Sequence, residues 1–196
     1  MNAITYKEVF PLIKNNQMWL GNRFNQRVNG KNMTFGVPKS YPMEGTEVYI
    51  DSNGNKFISV AGTGWYTNID HGRRHKPITL LTKEENLTYN KKLKNSKYQS
   101  VVYKKYDNYD AIEVPLTESI PSDYDGLMGV PISFLSKYCP EQFEILGLTQ
   151  RNDDPYKIKK YTTDEYKNAN DLNARATILI NGNPKSMYPR ILIRKI

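Results

Sequence analysis

The chain has 196 residues, a formal net charge of +8, and 38% hydrophobic and 12% aromatic content, enough apolar material for a single domain over residues 1–196 and too much for disorder. Its longest apolar runs, near residues 130–135 and 176–180, fall far short of the ~20 residues a bilayer span needs, and residues 1–9 lack the basic start and apolar stretch of a signal peptide. The single cysteine, Cys139, excludes an intrachain disulfide and cannot build a zinc site alone, so the cytoplasm is the expected location, with no membrane partner.

Thr5 and Glu8 have capping-box spacing ahead of Val9, Phe10 and Ile13, which predicts a first helix, and Pro11 inside it predicts a short or kinked one. Short strands are expected at residues 18–20 and 33–37, around a loop containing Gly21, Asn29 and Gly30. The clearest hairpin joins residues 47–50 to residues 56–60 through Asp51-Ser52-Asn53-Gly54-Asn55. Residues 65–69 and 77–81 read as strands flanking the loop 70–76. Residues 83–100 are polar with poor periodicity, which fits a surface helix or a mobile loop. Further strands are expected at 111–114 and 143–148, with a short helix over 132–138 that stops before Pro140. Thr162 and Glu165 form a second capping box, opening a helix towards Ala174. The chain closes on residues 176–180 and 190–193, paired around Asn181-Gly182-Asn183-Pro184. The fold class is α+β, with mixed, mostly antiparallel strands, hairpins and a few short helices.

Charge is unevenly spread. Residues 83–105 hold seven lysines against Glu84 and Glu85. Residues 107–125 hold Asp107, Asp110, Glu113, Glu118, Asp123 and Asp125 with no basic residue. Basic residues return at Lys157, Lys159, Lys160, Lys185, Arg190, Arg194 and Lys195. A basic surface beside an acidic patch suits a polyanion steered to one face. A lysine-rich composition without any such partner produces the same count, so charge alone leaves both readings open.

Four motifs invite chemistry. Ala61-Gly62-Thr63-Gly64 has the look of a phosphate or methyl-donor loop, but such loops open a helix and Trp65-Tyr66-Thr67 continues in strand-like residues. Asp153-Asp154-Pro155-Tyr156 is close to the Asp-Pro-Pro-Tyr box of amino-methyltransferases. Asp154 stands where a proline is needed, so it reads as a turn. His71 and His75 are spaced for one metal on a helix, yet Gly72 argues for a loop and no third ligand is evident. Asp123-Tyr124-Asp125-Gly126 matches the start of a calcium loop, but Phe134 stands at its closing position. A metal-dependent nuclease built on Asp123 and Glu165-Tyr166-Lys167 is the remaining hydrolytic reading, although Glu165 is already explained by its capping box.

Several stretches together resemble the adenine-specific DNA methyltransferases of the EcoRI type. They are Asn2-Ala3-Ile4-Thr5-Tyr6 through Ile13, Met18-Trp19-Leu20-Gly21, and Trp65-Tyr66-Thr67-Asn68-Ile69-Asp70 with Arg74-His75. Tyr106-Asp107-Asn108-Tyr109-Asp110-Ala111-Ile112, Ile120-Pro121-Ser122-Asp123-Tyr124-Asp125-Gly126 and Pro140-Glu141-Gln142-Phe143 extend the resemblance over nearly the whole chain. Members of that family transfer a methyl group from S-adenosylmethionine to adenine N6 in a short double-stranded DNA site.

The resemblance also implies an absence. The family's donor-binding glycine loop and its Asn-Pro-Pro-Phe catalytic box lie upstream of the segment that Asn2-Ala3-Ile4-Thr5-Tyr6 resembles, and neither is present here. The chain is therefore similar to the C-terminal, DNA-recognition portion of an amino-methyltransferase, with no catalytic residue and no S-adenosylmethionine site of its own. Double-stranded DNA and a missing N-terminal half are the implied partners. Enzymes that act on a base extrude it from the duplex and read its neighbours, which calls for a basic, aromatic-bearing surface outside the donor fold. Trp65, Asn68, Arg73, Arg74, His75 and Lys76 are the candidates for it, with Arg73 and Arg74 expected to project into solvent. The acidic stretch is expected away from DNA, in turns or against the missing half. A free-standing nucleic-acid-binding module would use the same loops.

Overall fold

The computed structural model describes residues 2–21, 32–42, 48–61, 63–150 and 154–196. The chain groups into two compact units, Met18–Ile69 and a larger one of Asn2–Gln17 with Asp70–Ile196. No helix among the described residues is long and apolar enough to cross a membrane.

The described residues of the smaller unit are strands, turns and loops. In it β1 (Trp19–Leu20), β2 (Met33–Val37), β3 (Val48–Ile50), β4 (Lys56–Val60) and β5 (Tyr66–Thr67) form two antiparallel sheets, β1-β5 and β2-β4-β3. The β3–β4 hairpin closes as its loop residues predict. Asp51 Oδ1 accepts the backbone N–H groups of Asn53 and Asn55 at 2.9 and 2.8 Å, and Gly54 takes the positive φ of 77° that the turn requires. Residue 47 of the expected hairpin and the expected loop residues Asn29 and Gly30 lie outside the described residues. The strand expected over 65–69 shortens to β5, because Thr67 Oγ1 accepts the Ile69 N–H at 3.0 Å and turns the chain.

In the larger unit a 3-10 turn (Asn2–Thr5) precedes α1 (Phe10–Lys14). The expected Thr5–Glu8 capping box is not the start of this helix. Residues 6–9 form turns, and α1 begins with Pro11 in its first turn, where a missing N–H leaves no bond unmade. Residues 83–100 are a staircase of three short pieces: α2 (Lys83–Tyr89), a 3-10 turn (Lys91–Lys94) and α3 (Ser96–Gln99). Each piece carries its own cap. Thr82 and Glu85 make a full capping box on α2, while Asn90 and Asn95 accept from the N–H groups of Lys92 and Lys97. Pieces of one or two turns bury one residue or none, Asn86 and Leu93 here, so no helical period shows in the sequence.

Strands β6 (Ala111–Glu113), β7 (Leu127–Pro131) and β8 (Phe143–Leu148) begin the main sheet. A 3-10 helix, Ile132–Lys137, stands where the short helix was predicted and buries Phe134 and Leu135. The capping bonds of Thr162 and Glu165 form, but α4 (Ala169–Ala174) starts only after further turns. The closing hairpin differs from expectation. Strand β9 (Thr177–Ile180) pairs with β10 (Asn183–Ser186) through Asn181 and Gly182, whose φ values of 50° and 79° are those of a two-residue type I′ turn. That turn obliges the very next residues to pair back, which leaves β11 (Arg190–Lys195) for the main sheet, of order β6-β7-β11-β8. Only β6 and β7 run parallel in it. Its core includes Tyr106, Tyr109, Leu146, Ile178 and Leu192.

Residues 77–81 are not a strand. The Gln142 side-chain amide brackets Ile78, accepting its N–H and donating to its carbonyl at 2.8 Å each, and only Leu81 makes a bridge, to Pro121. A side chain supplies what a neighbouring strand would have, so the extended sequence pattern finds no ladder.

Candidate nucleic-acid interface

The candidate loop is a 3-10 turn, Gly72–His75, and its geometry separates its two arginines. Successive side chains on a 3-10 turn point about 120° apart. Arg73 is exposed, whereas Arg74 keeps only 7% of its surface, which corrects the expectation that both project into solvent. Arg74 Nη1 lies 3.5 Å from Asp70 Oδ1, and its Nη2 donates to the side-chain oxygen of Asn16.

His75 is clasped on both sides. Its Nδ1 lies 2.6 Å from Glu141 Oε1 and its Nε2 lies 2.8 Å from Asp70 Oδ2. Hydrogen bonding to Asp70 first, and to Glu141 next, lifts its pKa above the ordinary histidine value. Glu141 also accepts from Cys139 Sγ at 3.1 Å, and the bonds from Cys139 and His75 hold its carboxyl below the usual range. Lys76, next in sequence, is exposed. Trp65 and Asn68 belong to the smaller unit. Both are exposed, Trp65 at 62%, and the Trp65 carbonyl accepts the Gly21 N–H at 2.8 Å. The six candidate residues thus divide between the two units.

The acidic stretch is engaged within the chain. Asp107 accepts from Lys159 at 2.7 Å and from the Tyr161 hydroxyl at 2.6 Å, and Asp110 pairs with Lys105 at 2.7 Å. Glu113 pairs with Arg190, Glu118 with Lys137 at 3.2 Å, and Asp125 with Lys195 at 3.0 Å. Asp123 accepts the backbone N–H of Lys83 at 2.9 Å, where α2 begins. Of the carboxylates that a nuclease would need, Asp123 is therefore occupied with the start of α2 and Glu165 with the turn that follows Thr162. Among the described residues no group of three His, Cys, Asp or Glu side chains is placed to hold a metal ion.

The described residues cover the two methyltransferase-like motifs only in part, without Gly62 and Asp153. Thr63 and Gly64 lead into strand β5 and not into a helix. Asp154 Oδ1 accepts the Tyr156 N–H at 3.0 Å, which is a local turn. Sequence reading missed Asn16, Glu141 and Gln142, the residues that hold the loop. The only signal for them is the pairing of a carboxylate and an amide at 141–142, and nothing local connects it to residues 75 and 78.

Residues 1–196 match the family described as adenine-specific methyltransferase EcoRI. The chain is 46% identical over 154 residues to the Type II methyltransferase M.EcoRI of Escherichia coli, covering 79% of this chain and 42% of that protein. It is 34% identical over 196 residues to the Type II methyltransferase M.MgeORF184P of Mycoplasma genitalium, covering 98% of this chain and 54% of that protein. Against the Type II methyltransferase M.MpnI of Mycoplasma pneumoniae the identity is 29% over 198 residues, with the same coverage of 98% and 54%. The chain spans about half the length of the curated relatives it matches. No solved structure matches it at a significant level.

Proposed function

The chain belongs to the family of adenine-specific EcoRI methyltransferases, and from that premise we propose that it supplies the DNA-contacting part of a site-specific DNA N6-adenine methyltransferase of a restriction-modification system. In this reading S-adenosylmethionine is bound, and the methyl group transferred, by residues other than these 196, which contain no Asn-Pro-Pro-Phe box. The partners are double-stranded DNA and the portion of the enzyme that carries that box.

The observation that carries the reading is where the charges go. All six carboxylates of residues 107–125 are engaged inside the chain, and the side chains of Arg73 and Lys76 are exposed to solvent on a loop held by His75 and Arg74. Exposed guanidinium and ammonium groups on a rigid loop are suited to phosphate contacts, which position a protein on a duplex. Trp65 offers an exposed ring on which an unstacked base can lie, and Asn68 offers an amide to a base edge. Arg74 and His75 then act by holding the loop.

Fluorescence anisotropy of a labelled duplex, titrated with the chain at rising salt, tests this. Affinity on the order of micromolar or weaker is expected, falling steeply with salt because it rests on phosphate contacts. Binding that is unchanged between low and physiological salt would falsify it.

A further inference from the structure

The larger unit carries a cleft of about 420 Å³ whose lining brings together Arg73, Lys76 and Lys137, the hydroxyl-bearing Thr79 and Ser136, and Glu118. We propose that this cleft seats a backbone phosphate of duplex DNA and its sugar, and that Glu118 acts as a built-in competitor for the cations that bind it. The inference rests on the DNA-contacting reading above and adds Lys137, Thr79, Ser136 and Glu118 to it.

Three features point to a phosphodiester. The first is sign: three cations against one carboxylate leave the cleft positive, and Arg73 provides a fork where the lysines provide point charges. The second is size, since about 420 Å³ exceeds a bare phosphate and admits the attached sugar against Pro77 and Ile78. The third is rigidity. Glu141 holds His75 and the neighbouring Gln142 holds Ile78 by two bonds, so Lys76 lies on a segment pinned on either side of it. A cation whose backbone is already fixed loses less entropy on binding.

Glu118 marks where the anion goes. Its Oε1 lies 3.2 Å from Lys137 Nζ and 4.0 Å from Lys92 Nζ, and all three side chains are partly exposed. A phosphate entering the cleft takes over Lys137 from this carboxylate. The basic lining continues through Glu118 to Lys92 on the 3-10 turn Lys91–Lys94, which gives a duplex backbone a second cation along its path.

Anisotropy titrations of the full chain with a labelled duplex, repeated across a salt series, test the inference through signed changes. Lys76→Ala and Lys137→Ala should each weaken binding several-fold on any duplex sequence and make the slope of log K against log salt shallower by roughly one. Glu118→Gln should tighten binding, while Lys185→Ala, which removes the same charge from β10, should leave the slope as it was. Circular dichroism confirms that each variant is folded. Unchanged slopes for Lys76→Ala and Lys137→Ala, or weaker binding by Glu118→Gln, overturn the cleft while leaving the broader DNA reading intact. If the unmodified chain does not bind duplex DNA at all, the DNA reading fails and the cleft with it.

Discussion

Arg190 and Glu113 meet inside the main sheet, with Arg190 Nη2 2.7 Å from Glu113 Oε1 and the glutamate side chain fully buried. They stand on β11 and β6, which are not neighbours, since β7 runs between them. Gly129 on β7 lies opposite Glu113, and a side chain there would run into the Tyr106 hydroxyl that donates to the same carboxylate. Burial, ahead of the charge of Glu113, pushes the Tyr106 pKa well up, so this hydroxyl keeps the proton it donates. A buried charge is tolerable only with its partners in place.

Removing one member of this pair should therefore cost far more than a surface ion pair would. Arg190→Met is expected to lower unfolding free energy by roughly 3–5 kcal/mol, because it strands a buried carboxylate. The double variant Arg190→Met with Glu113→Leu should recover much of the loss. Urea unfolding of the three proteins checks this, and a loss below about 1 kcal/mol for Arg190→Met would place the pair among ordinary surface bridges.

Local chemistry was legible wherever a few adjacent residues decide the outcome. The Asp51 loop, the alternating strand Met33–Val37, the largely apolar strand Phe143–Leu148 and the α+β class all follow from turn residues and residue pattern. Readings failed where a distant side chain decides. Asn16 is 58 positions from Arg74 and Gln142 is 64 from Ile78, and each reverses a local expectation, of exposure in one case and of a strand in the other. The Asn181-Gly182 turn is visible in the sequence, and its two-residue length is what assigns β10 as the partner of β9. Of the candidate site, the exposure of Arg73 was legible from its glycine-containing turn, whereas the clamp behind it was not.

The His75 clamp should make stability depend on pH in a defined direction. The His75 pKa is raised above 6.5 by Asp70 and Glu141, so its contribution is complete below 6.5 and is lost as pH rises through the elevated folded value. Asp70 and Glu141 have lowered pKa values, Asp70 chiefly through its bond to His75, so their share is present above the ordinary carboxylate range and fades as pH falls through the lowered values. Relative to His75→Gln, the unmodified chain should show its largest stability advantage between the carboxylate range and 6.5, shrinking on the alkaline side. Urea midpoints measured for both proteins from acid to alkaline pH decide it. A difference that stays constant above neutrality means that the clamp does not titrate.

The isolated chain should not bind S-adenosylmethionine. Donor loops work by presenting backbone N–H groups at the start of a helix, and Thr63 and Gly64 lead into β5 instead. Isothermal titration is expected to give no saturable heat. Saturable binding in the micromolar range would return the Ala61–Gly64 segment to the list of donor sites.

The sharpest expectation concerns the two adjacent arginines, because the structure gives them opposite surroundings. Arg73 is exposed and lines the cleft, so Arg73→Ala should leave stability within about 0.5 kcal/mol while weakening DNA binding several-fold. Arg74 is buried with its guanidinium against Asp70 and Asn16, so Arg74→Ala should destabilise the chain more than Arg73→Ala does, through the lost packing of a buried side chain. Its effect on DNA should follow from loosening of the loop. Arg74→Lys should restore only part of the stability, since one ammonium cannot span both partners as a guanidinium fork does. Thermal unfolding and duplex anisotropy on the three variants separate the cases. If Arg73→Ala destabilises the chain as much as Arg74→Ala does, Arg73 is a packing residue. If the Arg73 variant is stable and binds DNA as well as the unmodified chain, the contact surface lies elsewhere on the molecule.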